Sequence, residues 1–176
     1  MKKLVLGSAI LAVLGMTSSA MAANSGTVNF TGAVSTATCN LSVKDANGSD
    51  IANVDLGTLA STSATNGTAV DFKLVPAETA CLAKTSANMT WTSANLNATG
   101  LSNAATNGTN ATMALQAVNA TATDKMVKQG NTSFDYNVNG GIKSFDYKAQ
   151  LMKPAAGTTM TAGPFTVSAS YIVAYK

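Results

Sequence analysis

The side chains that most often carry out catalysis are scarce in this chain. It contains no histidine, which removes the commonest general base. Asp135 and Asp146 could meet as a pair of carboxylates for hydrolysis, and Lys143 and Lys148 could contact an acidic ligand. Solvated charges on strand faces are the favoured interpretation of all four residues. The sequence therefore argues against an enzyme, and an exported hydrolase is the least favoured function class.

Two cysteines, Cys39 and Cys81, are the other residues that could do chemistry. In an exported chain the default expectation is one disulfide between them. The alternative is a pair of metal ligands, which the lack of histidine and of a close Cys-x-x-Cys motif disfavours. No glycine-rich phosphate loop leads from a strand into a helix. We therefore predict no metal and no cofactor.

The first residues predict that the chain is exported. Lys2 and Lys3 precede an apolar run at residues 4–16, which is too short to span a bilayer. The small-x-small pattern Ala-Met-Ala at residues 20–22 follows. Residues 1–22 therefore resemble a secretory signal peptide, and a retained membrane anchor is the alternative.

Residues 23–176 are then the mature chain, or residues 24–176 if cleavage follows Ala23. This length fits one domain with one core. Two of the eleven lysines lie in the predicted signal peptide, and the chain has no arginine. Without a basic patch interleaved with aromatic residues, nucleic acid is not a predicted partner.

Apolar residues alternate with polar ones through most of the mature chain. The clearest cases are residues 70–74, 145–151 and 165–175, and Gly- and Asn-rich clusters such as residues 47–49 and 139–141 separate such segments. Period-two alternation is typical of half-buried strands. We predict an all-β protein, a single antiparallel β-sandwich of roughly six or seven strands.

Two further expectations concern the segments between strands. No segment has a convincing helical period, so no helix is predicted. Residues 95–110 contain few large apolar side chains, and we predict a long surface connection there.

The last predicted strand has an unusual position. It begins after Gly163 and Pro164 and runs to the end of the sequence at Lys176. One face of this strand is entirely apolar: Phe165, Val167, Ala169, Tyr171, Val173 and Tyr175. If no further strand of the same chain pairs with it, one edge is open, and open apolar edges must be covered.

The N-terminal segment of the mature chain is a candidate cover for such an edge. Gly26, Val28, Phe30, Gly32 and Val34 alternate with polar or small residues. The segment is either the first strand of its own sandwich or a strand that leaves its own domain. The alternation alone does not decide between the two.

Several motifs, taken in order, resemble the pilin subunits of chaperone–usher fimbriae, the type 1-like family. Residues 26–32 precede Cys39, the Asp-Leu-Gly turn at residues 55–57 follows, and Cys81 stands where the family has its second cysteine. A glycine fourteen residues from the end and a penultimate tyrosine complete the pattern. Residues 70–74, 81–84 and 144–151, with the Trp91 strand, are most similar to the K99 type of major subunit.

The resemblance implies an incomplete immunoglobulin-like β-sandwich that lacks its last strand, completed by a donor strand from the neighbouring subunit. The implied donor extension spans residues 23–34, with Gly26, Val28, Phe30 and Gly32 as the donor-strand residues. The implied disulfide joins Cys39 to Cys81. The implied groove and chaperone-binding strand consists of Gly163, Phe165, Val167, Ala169, Tyr171, Val173, Tyr175 and Lys176.

The resemblance also implies the function and the partners. The chain is expected to be a structural, shaft-forming subunit of a fimbria that polymerises by donor-strand exchange and supports adhesion to host cells. Its expected partners are copies of itself, other pilus subunits, a periplasmic chaperone, an outer-membrane usher and a host glycan receptor. Its expected location is the cell surface, reached through the periplasm. A free-standing, lectin-like β-sandwich is the alternative.

Overall fold

The computed structural model describes residues 26–30, as a backbone strand, and residues 39–176. The predicted signal peptide and Gly32 lie outside the described residues. In the described part of the chain, no helix is long and apolar enough to cross a membrane.

The described residues form eleven strands and one short helix, so the all-β prediction is confirmed. The prediction of six or seven strands was too low, and the helix α1 (Thr79–Leu82) was not predicted. The strands are β1 (Gly26–Phe30), β2 (Leu41–Asp45), β3 (Asn53–Asp55), β4 (Val70–Pro76), β5 (Ser86–Thr92), β6 (Leu96–Asn97), β7 (Gly100–Ser102), β8 (Thr112–Ala117), β9 (Ser133–Asn137), β10 (Phe145–Met152) and β11 (Phe165–Tyr175).

Two sheets make up the sandwich. One has the strand order β3-β1-β11-β5-β9, and the other has the order β2-β4-β10-β8-β7-β6. The pairings between these strands are antiparallel except for β1 with β11, which is parallel. The prediction of an antiparallel sandwich is confirmed apart from this one parallel pairing, which joins strands far apart in the sequence.

Period-two alternation sets the core between the sheets. Along β10 and β11, every second side chain points inward and is buried, as the sequence predicts, except that Tyr175 at the end of β11 is only half-buried. The largest fully buried side chains include Trp91, Tyr136 and Tyr147. The Tyr147 hydroxyl accepts a hydrogen bond from Trp91 Nε1 at 3.0 Å and lies 2.6 Å from the Tyr136 hydroxyl. The polar atoms of these rings are thereby satisfied inside an apolar core.

The segment 95–110 differs from its prediction as a surface connection. It contains the short hairpin of β6 and β7, which extends the edge of the second sheet. Leu101 in β7 is fully buried and lies opposite Met113 of β8. A single apolar residue gives no alternation, so this strand could not be recognised from periodicity.

Candidate functional site

The long terminal strand β11 brings most of the predicted groove residues onto one face. Phe165, Val167, Ala169, Tyr171 and Val173 are all at most 4% exposed. The outward residues between them are small or polar, apart from Ile172, which is half exposed. The predicted alternation of this strand is therefore confirmed, and it forms a continuous apolar row.

The two edges of β11 are used differently along its length. On one side, residues 170–175 pair with β5 in antiparallel register. On the other side, residues 165–169 pair with β1 in parallel register. Among the strands of the described chain, none continues that second edge beyond Ala169. The edge shared with β1 is the candidate assembly site.

The strand β1 lies inside its own sheet, between β11 and β3. Gly26 is opposite Phe165 and Phe30 is opposite Ala169, while Val28 also pairs with Val54 of β3. Of the two interpretations left open by its sequence, this arrangement is that of a strand in its own sandwich. The donor role of Gly26, Val28 and Phe30 stays a prediction, and Gly32 lies outside the described residues.

The C-terminal end of β11 carries a half-buried tyrosine, Tyr175. The Tyr175 ring centroid lies 6.1 Å from that of Phe145, and the Tyr175 hydroxyl is enclosed with no hydrogen-bond partner in the described structure. Burial is the main cause that raises the pKa of Tyr175 to about 12, and the nearby negative charge of Glu78 adds to it. A polar atom without a partner in an apolar setting is costly, so this end of the strand is incompletely satisfied.

The last residue, Lys176, lies at the surface on the outer side of the same sheet. Its backbone N–H donates to the Ser86 carbonyl at 2.9 Å, and its ammonium lies 3.3 Å from the Asp135 carboxylate. The Asn88 amide, and then Lys176, lower the pKa of Asp135. The terminus is therefore held beside β5 and β9 by exposed polar contacts.

Gly163 lies just before β11, in a backbone conformation and a close contact that favour glycine. Its φ is +149°, and a Cβ there would lie 2.9 Å from the Asn107 carbonyl oxygen. Asn103, which sequence analysis missed, donates from its side-chain amide to the Thr109 and Pro164 carbonyls, both at 2.8 Å, and accepts from the Thr166 N–H at 2.9 Å. The loop before β8 therefore fixes the N-terminal end of β11. A single asparagine in a polar loop gave no signal of this role.

The base of the N-terminal segment is fixed by two kinds of bond. The predicted disulfide between Cys39 and Cys81 is confirmed, with their Cα atoms 6.0 Å apart. Glu78 accepts hydrogen bonds from both the backbone N–H and the side-chain amide of Asn40, at 2.9 and 3.0 Å. Glu78 is the chain's one glutamate, and its position three residues before Cys81 was the available signal.

The charged residues considered for catalysis have separate surface roles. Asp135 lies on β9 and Asp146 on β10, in different sheets, and Asp146 accepts a hydrogen bond from the Ser144 hydroxyl. The Lys148 ammonium lies 3.5 Å from the Asp71 carboxylate. The described residues contain no group of three or more side chains suited to a metal ion. Asp135 and Asp146 are therefore not brought together as a carboxylate pair.

Comparison with known proteins gives a consistent result. The chain is 39% identical to the K99 fimbrial protein of Escherichia coli over 187 residues, covering 99% of both proteins. It is 30% identical to the F107 fimbrial protein of Escherichia coli over 181 residues, covering 100% of both. Among solved structures, the P pilus rod subunit PapA matches with a TM-score of 0.52 and 21% identity, covering 80% of this chain and 100% of PapA. No model of a protein family matches the chain.

The two-sheet sandwich, its disulfide and the long terminal strand define a pilin-type domain, which the match to PapA supports at the level of the fold. The chain belongs to the family of fimbrial subunits that includes the K99 and F107 fimbrial proteins. It is therefore a structural subunit of a fimbria, as its sequence motifs predicted. These relatives are structural proteins and not enzymes, and the lectin-like alternative is not favoured.

Proposed function

We propose that the subunits polymerise by exchanging β1. In this mechanism, β1 leaves its place between β3 and β11, and the β1 strand of the next subunit fills the vacated edge. Main-chain hydrogen bonds at a sheet edge provide affinity, and alternate side chains provide fit. Because the contact is head-to-tail and does not close on itself, it generates an open fibre.

The observation that carries this proposal is the position of β1. It is a five-residue strand inserted between two strands of the same sheet, and it pairs with β11 over five residues and with β3 over three. Its pairing with β11 is parallel, the slightly less stable kind. A short strand with few pairings is easier to exchange than β5, which pairs with β11 over six residues and with β9 over five.

The apolar residues of β11 next to β1 are the reason why the β11 edge needs a covering strand. Phe165 and Val167 belong to the buried apolar row, and exposing side chains of this size costs about 1.5–3 kcal/mol each. An open apolar edge also promotes aggregation. A periplasmic chaperone that lends a strand would protect the edge until an outer-membrane usher brings the next subunit.

The export route belongs to the same proposal. Residues 1–22 act as the signal peptide, residues 23–176 form the pilin domain, and residues 23–34 form the donor extension. The disulfide fits passage through an oxidising compartment. The α-carboxylate of Lys176 offers an anchor for a basic cleft on the chaperone. The fibre is displayed at the cell surface, where it supports adhesion, with a host glycan as the candidate receptor.

The proposal is tested by placing a charge on one face of β1. In Phe30→Asp, the carboxylate would enter an apolar groove on the neighbouring subunit, which costs several kcal/mol. The variant's own groove is unchanged and can still accept the chaperone's strand. We therefore expect chaperone–subunit complexes to accumulate in the periplasm while surface fibres are lost.

The matched control is Asn29→Asp, which adds the same charge at the neighbouring position, on the opposite face of an alternating strand. This variant should retain both complexes and fibres. The measurement compares periplasmic complex with surface fibre for both variants. If Phe30→Asp loses complex and fibre together, Phe30 is required in its own domain and the donor role is refuted.

A further inference from the structure

Four Asn-Gly pairs in the mature chain carry a chemistry that the pilus function does not use. They are Asn47-Gly48, Asn66-Gly67, Asn107-Gly108 and Asn139-Gly140. In such a pair, the glycine amide nitrogen can attack the side-chain carbonyl carbon of the asparagine. The C–N bond of the side-chain amide breaks, and the side-chain nitrogen takes up the glycine amide proton and leaves as ammonia. Water then opens the cyclic imide to aspartate or isoaspartate, so no oxidant or reductant is required.

The reaction depends on whether the glycine amide is available. An N–H that donates a hydrogen bond must first give up that bond before its nitrogen can act as a nucleophile. Because glycine has no side chain to block the attack, an asparagine followed by glycine is well suited to this reaction. The reaction is most favourable where the backbone of the pair is exposed and its amide is free. The four pairs can therefore be ranked by their hydrogen bonds.

Three of the four glycine amides donate to backbone carbonyls. Gly48 donates to Asp45 at 3.1 Å, Gly67 to Leu151 at 2.9 Å and Gly108 to Ala105 at 3.3 Å. The pair at residues 66–67 is held further, because Asn66 Oδ1 accepts a hydrogen bond from the Lys153 N–H. These contacts protect the three pairs.

The fourth pair has none of this protection. Asn139 and Gly140 are exposed in the turn between β9 and β10, which is closed by a hydrogen bond from the Gly141 N–H to the Val138 carbonyl at 3.2 Å. Within the described chain, neither the Gly140 amide nor the Asn139 side chain has a hydrogen-bond partner. A Cβ built on Gly140 would have no atom within 4 Å, so the turn is open to solvent. We propose that Asn139 is a site of spontaneous deamidation, the most reactive of the four.

The product changes this turn in a defined way. Both products add a negative charge, and isoaspartate also adds one atom to the backbone of a tight turn. The turn is followed directly by Ile142, whose N–H donates to the Lys84 carbonyl at 2.7 Å. Since Ile142 is fully buried, the change should remain confined to residues 138–141.

The test is a time course of the folded mature subunit at mildly alkaline pH and body temperature, with aspartate and isoaspartate quantified by peptide mass spectrometry. Asn47 is the matched internal control, because it precedes an equally exposed glycine with positive φ. We expect Asn139 to react at least about fivefold faster than Asn47, the factor that corresponds to a typical net hydrogen bond of about 1 kcal/mol.

The same time course is repeated in concentrated urea, which unfolds the subunit and so removes these hydrogen bonds. The pairs should then react at similar rates, which would attribute the difference to the fold and not to neighbouring sequence. If Asn47, Asn66 or Asn107 reacts as fast as Asn139 in the folded subunit, or if the ranking persists in urea, the proposal is wrong.

Discussion

The hydroxyl of Tyr147 is a small group on which the centre of the core depends. It accepts from Trp91 Nε1, lies within hydrogen-bond distance of the Tyr136 hydroxyl and contacts Met89 Sδ at 2.9 Å. Tyr147→Phe removes this oxygen and keeps the ring. Each buried polar group that loses its partner costs about 1–3 kcal/mol, so the two groups left without Tyr147 predict a loss of about 2–6 kcal/mol in the free energy of unfolding.

Urea unfolding of the oxidised mature subunit measures this loss. Trp91 is the chain's one tryptophan, and its fluorescence reports directly on the altered site. We expect the midpoint to fall while the dependence on urea concentration is unchanged, because the surface exposed on unfolding is nearly the same.

Tyr171→Phe is the matched control. The ring centroid of Tyr171 lies 5.5 Å from that of Trp91, close to the 5.0 Å of Tyr147. Burial alone raises the pKa of Tyr171, with no hydrogen bond contributing to the shift. Its variant should therefore lose clearly less stability than Tyr147→Phe, because it leaves no buried hydrogen-bonding group without its partner. Equal effects of the two substitutions would refute the role of the hydroxyl network.

Three further predictions concern other parts of the domain. Cys39→Ser opens a 42-residue loop, which should lower the free energy of unfolding by about 3–4 kcal/mol and reduce the periplasmic subunit level; free thiols in assembled fibres would contradict this. Gly163→Ala combines a φ of +149° with a Cβ overlap and should cost about 1–3 kcal/mol in urea unfolding, more than the control Gly130→Ala, whose Cβ meets no atom within 4 Å. Asp135 has a pKa below its ordinary 3.8, so its charge contributes stability above that pH which is lost as the pH falls through the lowered pKa. Unfolding at several pH values should accordingly show the advantage of the parent over Asp135→Asn shrinking below about pH 4, and an advantage independent of pH would contradict the assignment.

Local alternation was sufficient to predict the long strands. Along residues 145–151 and 165–175, one face of the strand lies against the core and the other faces outward over the whole length. The alternation of apolar and polar residues therefore follows the core directly. The same logic fails for β6 and β7, which together contribute five residues to the sheet edge. Their place is set by the pairing of β7 with β8 and of β6 with β7, and no local sequence pattern indicates these pairings.

The assembly site was predicted in part for a similar reason. The apolar row of β11 follows from alternation within one segment. The pairing of β1 with β11 and the contact of Glu78 with Asn40 each join residues far apart in the sequence. Contacts of this kind depend on the assembled topology, so they are visible only once the two sheets are in place.

The disulfide at Cys39 and the two hydrogen bonds at Asn40 have a mechanical consequence for a fibre built by strand exchange. A pulling force on a donor strand would be transmitted to the domain of the same subunit at Cys39 and Asn40. The Cys39–Cys81 bridge would carry part of that load directly to α1, while Glu78 ties Asn40 to the residue before the helix. Tension would therefore be shared between β2 and α1 at the point of entry, so that β2 is not peeled from β4 one hydrogen bond at a time.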